Sequence, residues 1–255
     1  MARISAAVLA AILLAGCAGR YRLTVPDAVT AGDKPAAVVV RLERQEFGPL
    51  YLPVDDAVMR MWIDDEPLRA AYTRRNGYAA AAVPCPSEPG RHKLTIAHQD
   101  RQGGQVGKKG LAYVVRPDAR TLVVDWEAVE KARAGLAAAP ALKRLAAAGV
   151  QIVYAAEGFV EPVKAHIIII ANDLPDGPLV SWEDGRQVTG TLVTARSLLT
   201  GEVIAAGQED DFLRAAQSLD MKAFSVGADR QRFMTFGSWG ALAEELLKAG
   251  GEASK

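Results

Sequence analysis

The spacing of apolar positions divides the sequence into two textures that meet at about Pro117. From Tyr21 onward, short runs of alternating apolar and polar residues recur: YRLTV, AAVVVRLERQ, AVMRMWID, GYAAAAV, HKLTIAHQD and GLAYVVRP. Turn residues separate them, among them Pro26, Gly48-Pro49, Asp64-Asp65, Asn76-Gly77, Pro89-Gly90 and Gly103-Gly104. A period of two buries one face of a strand, so this texture predicts a β-sandwich of roughly six or seven strands over 18–117. After Pro117 the period lengthens. Thr121–Asp125, TLVVD, is a buried-strand run that ends on an acid, and EAVEKARAGLAAAPALKRLAAAGV follows at helical spacing, broken by Pro140 and closed by Gly149. QIVYAAEG, KAHIIIIAN, EVIAAGQ and KAFSVGAD read as further strands, with helical text over Asp210–Leu219 and Gly240–Leu247. Alternating strands and helices predict a three-layer parallel α/β sheet over 118–248, followed by a frayed, disordered tail, 249–255. The fold class expected is therefore all-β plus α/β.

Residues 1–17, MARISAAVLAAILLAGC, have a different pattern: one charge at Arg3, an apolar run from Ile4 to Leu14, then small residues before a cysteine. The run is too short to span a bilayer comfortably and sits where the apolar core of a secretory signal belongs. Leu14-Ala15-Gly16-Cys17 resembles the bacterial lipobox. That resemblance implies cleavage before Cys17, a diacylglyceryl group on its thiol and acylation of the new amino terminus. Three acyl chains bury far more methylene than the single chain that binds marginally, so the lipid bilayer becomes a permanent partner of the mature protein. Ala18 is not the aspartate that retains such lipoproteins in the inner membrane, so the expected address is the cell envelope, on the periplasmic face of the outer membrane in a diderm cell.

Composition narrows the function classes. With 30 basic and 30 acidic residues in 255, the chain has no net field to draw nucleic acid. Only Cys17 and Cys85 occur, so lipidation of the first leaves Cys85, between Pro84 and Pro86, as a small turn or core residue. His92 and His98 are six apart on one expected strand, hence on one face, without an acid or cysteine to complete a metal site; a solvated face accounts for them. Trp62 reads as sandwich core. Gly103–Lys109, GGQVGKK, lacks P-loop spacing and reads as a hairpin loop. EPGRHKLTIAHQD is similar to a strand of immunoglobulin-like modules, where a Pro-Gly turn leads into xHxLxI.

The second half supplies the chemistry-bearing candidates. VVDWEAV at Val123–Val129, QIVYAAEG at Gln151–Gly158, LPDGPLV at Leu174–Val180 and KAFSVGADRQRFMTFG at Lys222–Gly237 together resemble the haloacid dehalogenase-like superfamily. Within it, they resemble the lipin-type phosphatidate phosphatases and related lipid-sensing domains. The resemblance implies an aspartyl-phosphate mechanism with Mg²⁺, and it matches the nucleophile to Asp125. Glu127 stands at the acid/base place with one methylene too many. Ala156 stands where a Thr or Ser would hold the phosphoryl oxygen, no Lys precedes Glu202, and Asp229 is the only carboxylate near the last motif. Phosphoryl transfer depends on positioning and charge stabilisation, so these departures remove most of the clamp. Three readings remain: a non-catalytic binding or interaction module without cofactor, facing an envelope protein or a phosphorylated ligand; a Mg²⁺-dependent phosphatase using Asp125 and Glu127 with metal on Asp125 and Asp229; and a purely structural protein whose second domain binds only another protein. Asp125 also has a purely structural reading, as a strand-end carboxylate that caps the following helix.

Overall fold

The computed structural model describes residues 20–252 apart from 33, 131–132, 159, 182–187 and 228–230. Cys17 and Asp229 lie outside the described residues. The described residues form two compact units, one drawn from those up to Val25 with Val38–Val83 and Lys93–Gly110, the other from those in Pro26–Ala37, Pro84–His92 and from Leu111 onward. The division is thus interleaved along the sequence, where a single boundary near Pro117 was expected. Its cause lies in strand pairing. Ala28–Ala31 pairs in parallel with Ala112–Val115, and Ala31 and Val115 join the same buried cluster as Val123.

The strands of the first half are β1 (Tyr21–Thr24), β2 (Ala28–Ala31), β3 (Ala36–Phe47), β4 (Leu50–Pro53), β5 (Val58–Ile63), β6 (Glu66–Pro67), β7 (Ala71–Tyr72), β8 (Tyr78–Val83), β9 (Gly90–Gln99) and β10 (Gln105–Val115). In the first unit one sheet runs β1-β3-β4 with β8 on β3, and a second runs β10-β9-β5-β6 with β7 on β5. Period-two burial makes the sandwich: Val38, Val40 and Leu42 of β3, Met59, Met61 and Ile63 of β5, and Leu94 and Ile96 of β9 are all buried. Asp64 and Asp65 turn β5 into β6 with φ of 47° and 70°, the left-handed pair that a two-residue hairpin requires. Glu43 is buried and compensated by Arg22 and Arg41.

Periodicity fixed which residues share a face but left open which face points inward. His98, expected on a solvated face, is 7% exposed; its Nδ1 is 3.0 Å from the Val58 carbonyl and its ring lies edge-on to Tyr21 at 5.1 Å. Trp62, expected in the core, alternates with buried Met61 and Ile63 and is half-buried on the outward face. Gly103-Gly104 does lie in the turn, whereas Gln105–Lys109 already belongs to β10.

The second unit continues with β11 (Thr121–Asp125), α1 (Trp126–Glu130), α2 (Arg133–Ala147), β12 (Gln151–Ala155), α3 (Pro162–Ala171), β13 (Leu179–Val180), α4 (Val188–Leu198), β14 (Val203–Gly207), α5 (Asp210–Ser218), β15 (Lys222–Val226), β16 (Met234–Phe236) and α6 (Trp239–Glu252). Its sheet is parallel, in the order β13-β12-β11-β14-β15-β16. Leu122 and Val124 face a cluster with Trp126, Leu142 and Leu242, while Val123 faces one with Leu192, Leu213 and Ala216. Two helical layers therefore enclose a sheet buried on both faces, as the near-continuous apolar strands require.

Three expectations are corrected here. KAHIIIIAN is helical: Pro162 opens α3 at its first turn, Ala165 and Ile169 are buried one turn apart, and Ile167 and Ile170 are 61% and 74% exposed. The β-propensity of four isoleucines yields to tertiary context, and the paired strand is the shorter Leu179–Val180. Pro140 sits inside α2 without ending it, and α6 runs to Glu252, past the tail expected from Ala249. Gly149 follows α2 with φ 87°, as a C-terminal cap should. Among the described residues, no helix is long and apolar enough to cross a membrane.

Candidate functional site at the end of the central strand

β11 is fully buried and central, with Thr121–Asp125 in parallel register beside Gln151–Ala155 on one side and Thr121–Val124 beside Val203–Ala206 on the other. From β11 the chain winds outward through β12 and β13 in one direction and through β14 to β16 in the other. Asp125 therefore stands at the carboxyl end of the strand where the winding reverses, the place where parallel sheets open a crevice for ligands.

The carboxylate is enclosed. Asp125 is 3% exposed, its Oδ1 accepts from the Glu127 N–H at 3.0 Å, and its Oδ2 accepts from the Gln208 N–H at 3.3 Å. Space for it comes from Gly207, where an added Cβ would lie 2.5 Å from the Asp125 Cβ and 2.9 Å from Oδ2. Burial pushes the Asp125 carboxyl up to about 6, and the neighbouring Glu127 charge adds to that, against the opposing pull of the Gln208, Glu127 and Glu209 amides. The bond to the Glu127 N–H is the cap of α1 that the structural reading anticipated.

Glu127 is thus brought beside Asp125. Ala156 is buried at the end of β12, with its N–H donated to the Val180 carbonyl and no hydroxyl to offer. Asp229 and Cys17 lie outside the described residues. Among the described residues there is no group of three or more His, Cys, Asp or Glu able to hold a metal ion. Mg²⁺ needs several convergent oxygens, and of the pair offered for it only Asp125, each of whose oxygens takes one amide N–H, is among the described residues.

Sequence reasoning missed the far wall of this site. Gly207 ends β14, Gln208 and Glu209 follow it, and the parallel register with β11 sets this segment against Asp125. The signal was present as a glycine at the end of an apolar strand, followed by the acidic first turn of α5, Asp210 and Asp211.

The LPDGP turn is also positioned by its residues. The Tyr154 hydroxyl donates to the Pro175 carbonyl at 2.7 Å, the Tyr113 hydroxyl donates to Asp176 at 3.1 Å, and a Cβ on Gly177 would overlap the Ile152 carbonyl oxygen. Burial, with Asp27 and Asp176 nearby, raises the Tyr113 phenol far above its ordinary range.

No protein-family model matches the sequence, and no curated protein matches it. Among solved structures, the CARDB domain of a Pyrococcus furiosus protein in complex with di-metal ions aligns at 10% identity and a TM-score of 0.23, over 38% of this chain and 96% of that one. A two-domain fragment, Dpr2 Ig1-Ig2, in complex with DIP-Theta aligns at 13% identity and a TM-score of 0.24, over 41% and 55%. A family 39 glycoside hydrolase from Bacteroides cellulosilyticus aligns at 11% identity and a TM-score of 0.27, over 90% and 55%. Likeness at this level assigns neither fold, site nor activity; the β-sandwich and the α/β sheet stand on the strand pairings described above.

Proposed function

We propose that this chain is a lipid-anchored envelope protein, held through acylated Cys17, in which an immunoglobulin-like sandwich accompanies a haloacid dehalogenase-like scaffold that serves as a binding or interaction module. The observation supporting this reading is the state of Asp125. A nucleophile for phosphoryl transfer must reach a phosphorus atom in line and stay ionised. Asp125 is instead 3% exposed and tied to two backbone amides, while the neighbouring strand end offers Ala156 in place of a hydroxyl.

A Mg²⁺-dependent phosphatase is the second reading, favoured by the position of Asp125 at the end of the central strand with Glu127 beside it. Turnover of a phosphomonoester and of phosphatidate by the chain from Ala18, with and without Mg²⁺ and alongside Asp125→Asn, separates the two. The interaction module gives no turnover in any form. Mg²⁺-dependent turnover abolished by Asp125→Asn overturns that reading in favour of an enzyme with an altered acid/base.

A further inference from the structure

The outward face of the second sandwich sheet carries a cleft of about 390 Å³ to which Arg60, Trp62, Ala97, Gln99, Gln105 and Gly107 contribute. Its volume lies within the roughly 300–1,000 Å³ usual for small-ligand sites. Strand register explains its shape. Trp62 pairs with Thr95 and Arg60 with Ala97, and a Cβ on Gly107 would lie 3.9 Å from the Ala97 Cβ. Arg60, Ala97 and Gly107 therefore form one row across β5, β9 and β10, and two of its three members are too small to rise from the sheet. Gln99 on β9 and Gln105 on β10 lie two residues further along one side, and Trp62 lies two residues along the other. The result is a trough floored by Ala97 and Gly107, with an indole wall and an amide wall about 13 Å apart at ~3.3 Å per residue. That span accommodates two linked pyranose rings.

The chemistry of the walls selects the ligand. Trp62 is half-buried, so one part of the ring is held by the sheet and the rest is available. A flat π-face accepts the C–H face of a sugar ring, whereas Gln99 and Gln105 each offer a donor and an acceptor, the pattern that hydroxyl groups require. Neither amide, nor the Arg60 guanidinium, has a side-chain hydrogen bond or ion pair among the described residues. No carboxylate lines the cleft, and the Arg60 fork in it matches a carboxylate bidentately.

We propose that this trough binds an acidic oligosaccharide, one sugar ring lying on Trp62, its hydroxyls on Gln99 and Gln105, and its carboxylate on Arg60. The site lies within the sandwich and is independent of the role of Asp125.

The test is isothermal titration of the full chain, in detergent, with three acidic glycans: oligogalacturonate, a hyaluronan fragment and an alginate fragment, beside a neutral cello-oligosaccharide of matched length. Saturable binding of at least one acidic glycan is expected, weakened about tenfold or more by Trp62→Ala and by Arg60→Glu, as for anchors at the centre of a contact. Arg60 is exposed, so Arg60→Glu keeps the test valid should Trp62→Ala fail to fold; Trp62→Phe should retain most of the affinity. Three outcomes would overturn the proposal: no acidic glycan binds, binding is indifferent to both Trp62→Ala and Arg60→Glu, or the neutral glycan binds as tightly as the acidic ones.

Discussion

Nε2 of His166 stands 2.9 Å from Oδ2 of Asp27, a residue 139 positions earlier in the chain. The same oxygen accepts the Leu179 N–H at 3.2 Å, and the Tyr113 ring stacks on the imidazole at 6.1 Å. β13 is the edge strand of the parallel sheet, so Asp27 closes the backbone of an edge that would otherwise be left open. Together with the pairing of β2 and β10, this ties Pro26–Ala37 to the α/β unit although a strand-rich region surrounds it in sequence.

The Asp27 side chain is fully buried, and its Oδ1 has no hydrogen-bond partner among the described residues. Burial raises its carboxyl above the ordinary range despite the His166 and Leu179 bonds, so the pair is a balance of desolvation against hydrogen bonding. His166→Phe keeps a ring against Tyr113 while removing the donor, and should cost about 3 kcal/mol by chemical denaturation. Adding Asp27→Asn in that background should restore part of the loss, since it removes the uncompensated charge. A double variant less stable than His166→Phe alone would show that the carboxylate is not the source of the cost.

Gly177 supplies a second test. A Cβ there would overlap the backbone oxygen of Ile152, which is fixed in β12 and cannot give way as a flexible side chain would. Gly177→Ala should lower stability by about 2 kcal/mol, in the range of overpacking costs. Gly237→Ala, with nothing within 4 Å of the new methyl, should stay within roughly 0.5 kcal/mol of the parent. Equal melting temperatures for the two variants would refute this account of the LPDGP turn.

The sequence made the strands legible wherever burial imposed its period. β3, β5, β9, β11 and β12 lie where alternating or continuous apolar runs placed them, and Asp125 ends its strand as read. Phase was harder: Trp62 and His98 exchanged faces because alternation does not say which side is the core. α3 was missed because a short isoleucine-rich run does not by itself tell a strand from a helix. The interleaved division and the Gly207-Gln208 wall depend on partners far away in the chain, which no local pattern reports.

The anchor is tested apart from the fold. Cys17→Ser removes the thiol that the lipobox resemblance assigns to acylation, and should move the protein from the membrane fraction to the soluble one. Retention in the membrane fraction after a high-salt wash would exclude this anchor, since such a wash releases proteins held only by surface charge.

Asp125 gives the prediction that bears most on function. Its carboxyl is pushed from 3.8 up to about 6 in the fold, so between those values the folded state binds more protons than the unfolded one. Stability then falls as pH rises through this window, by at most about 3 kcal/mol at roughly 1.4 kcal/mol per unit, and the full deficit persists above it. Asp125→Asn cannot titrate. The difference in unfolding free energy between the parent and Asp125→Asn should therefore shift against the parent from pH 4 to pH 7, while the titration of Asp27, present in both, cancels. Parallel curves would mean that Asp125 is ionised throughout and available as a nucleophile. Repeating the series with Mg²⁺ adds a second discrimination. A metal bound to the ionised carboxylate would stabilise the parent selectively above pH 6. For an amide-capped strand end, Mg²⁺ should leave the difference unchanged.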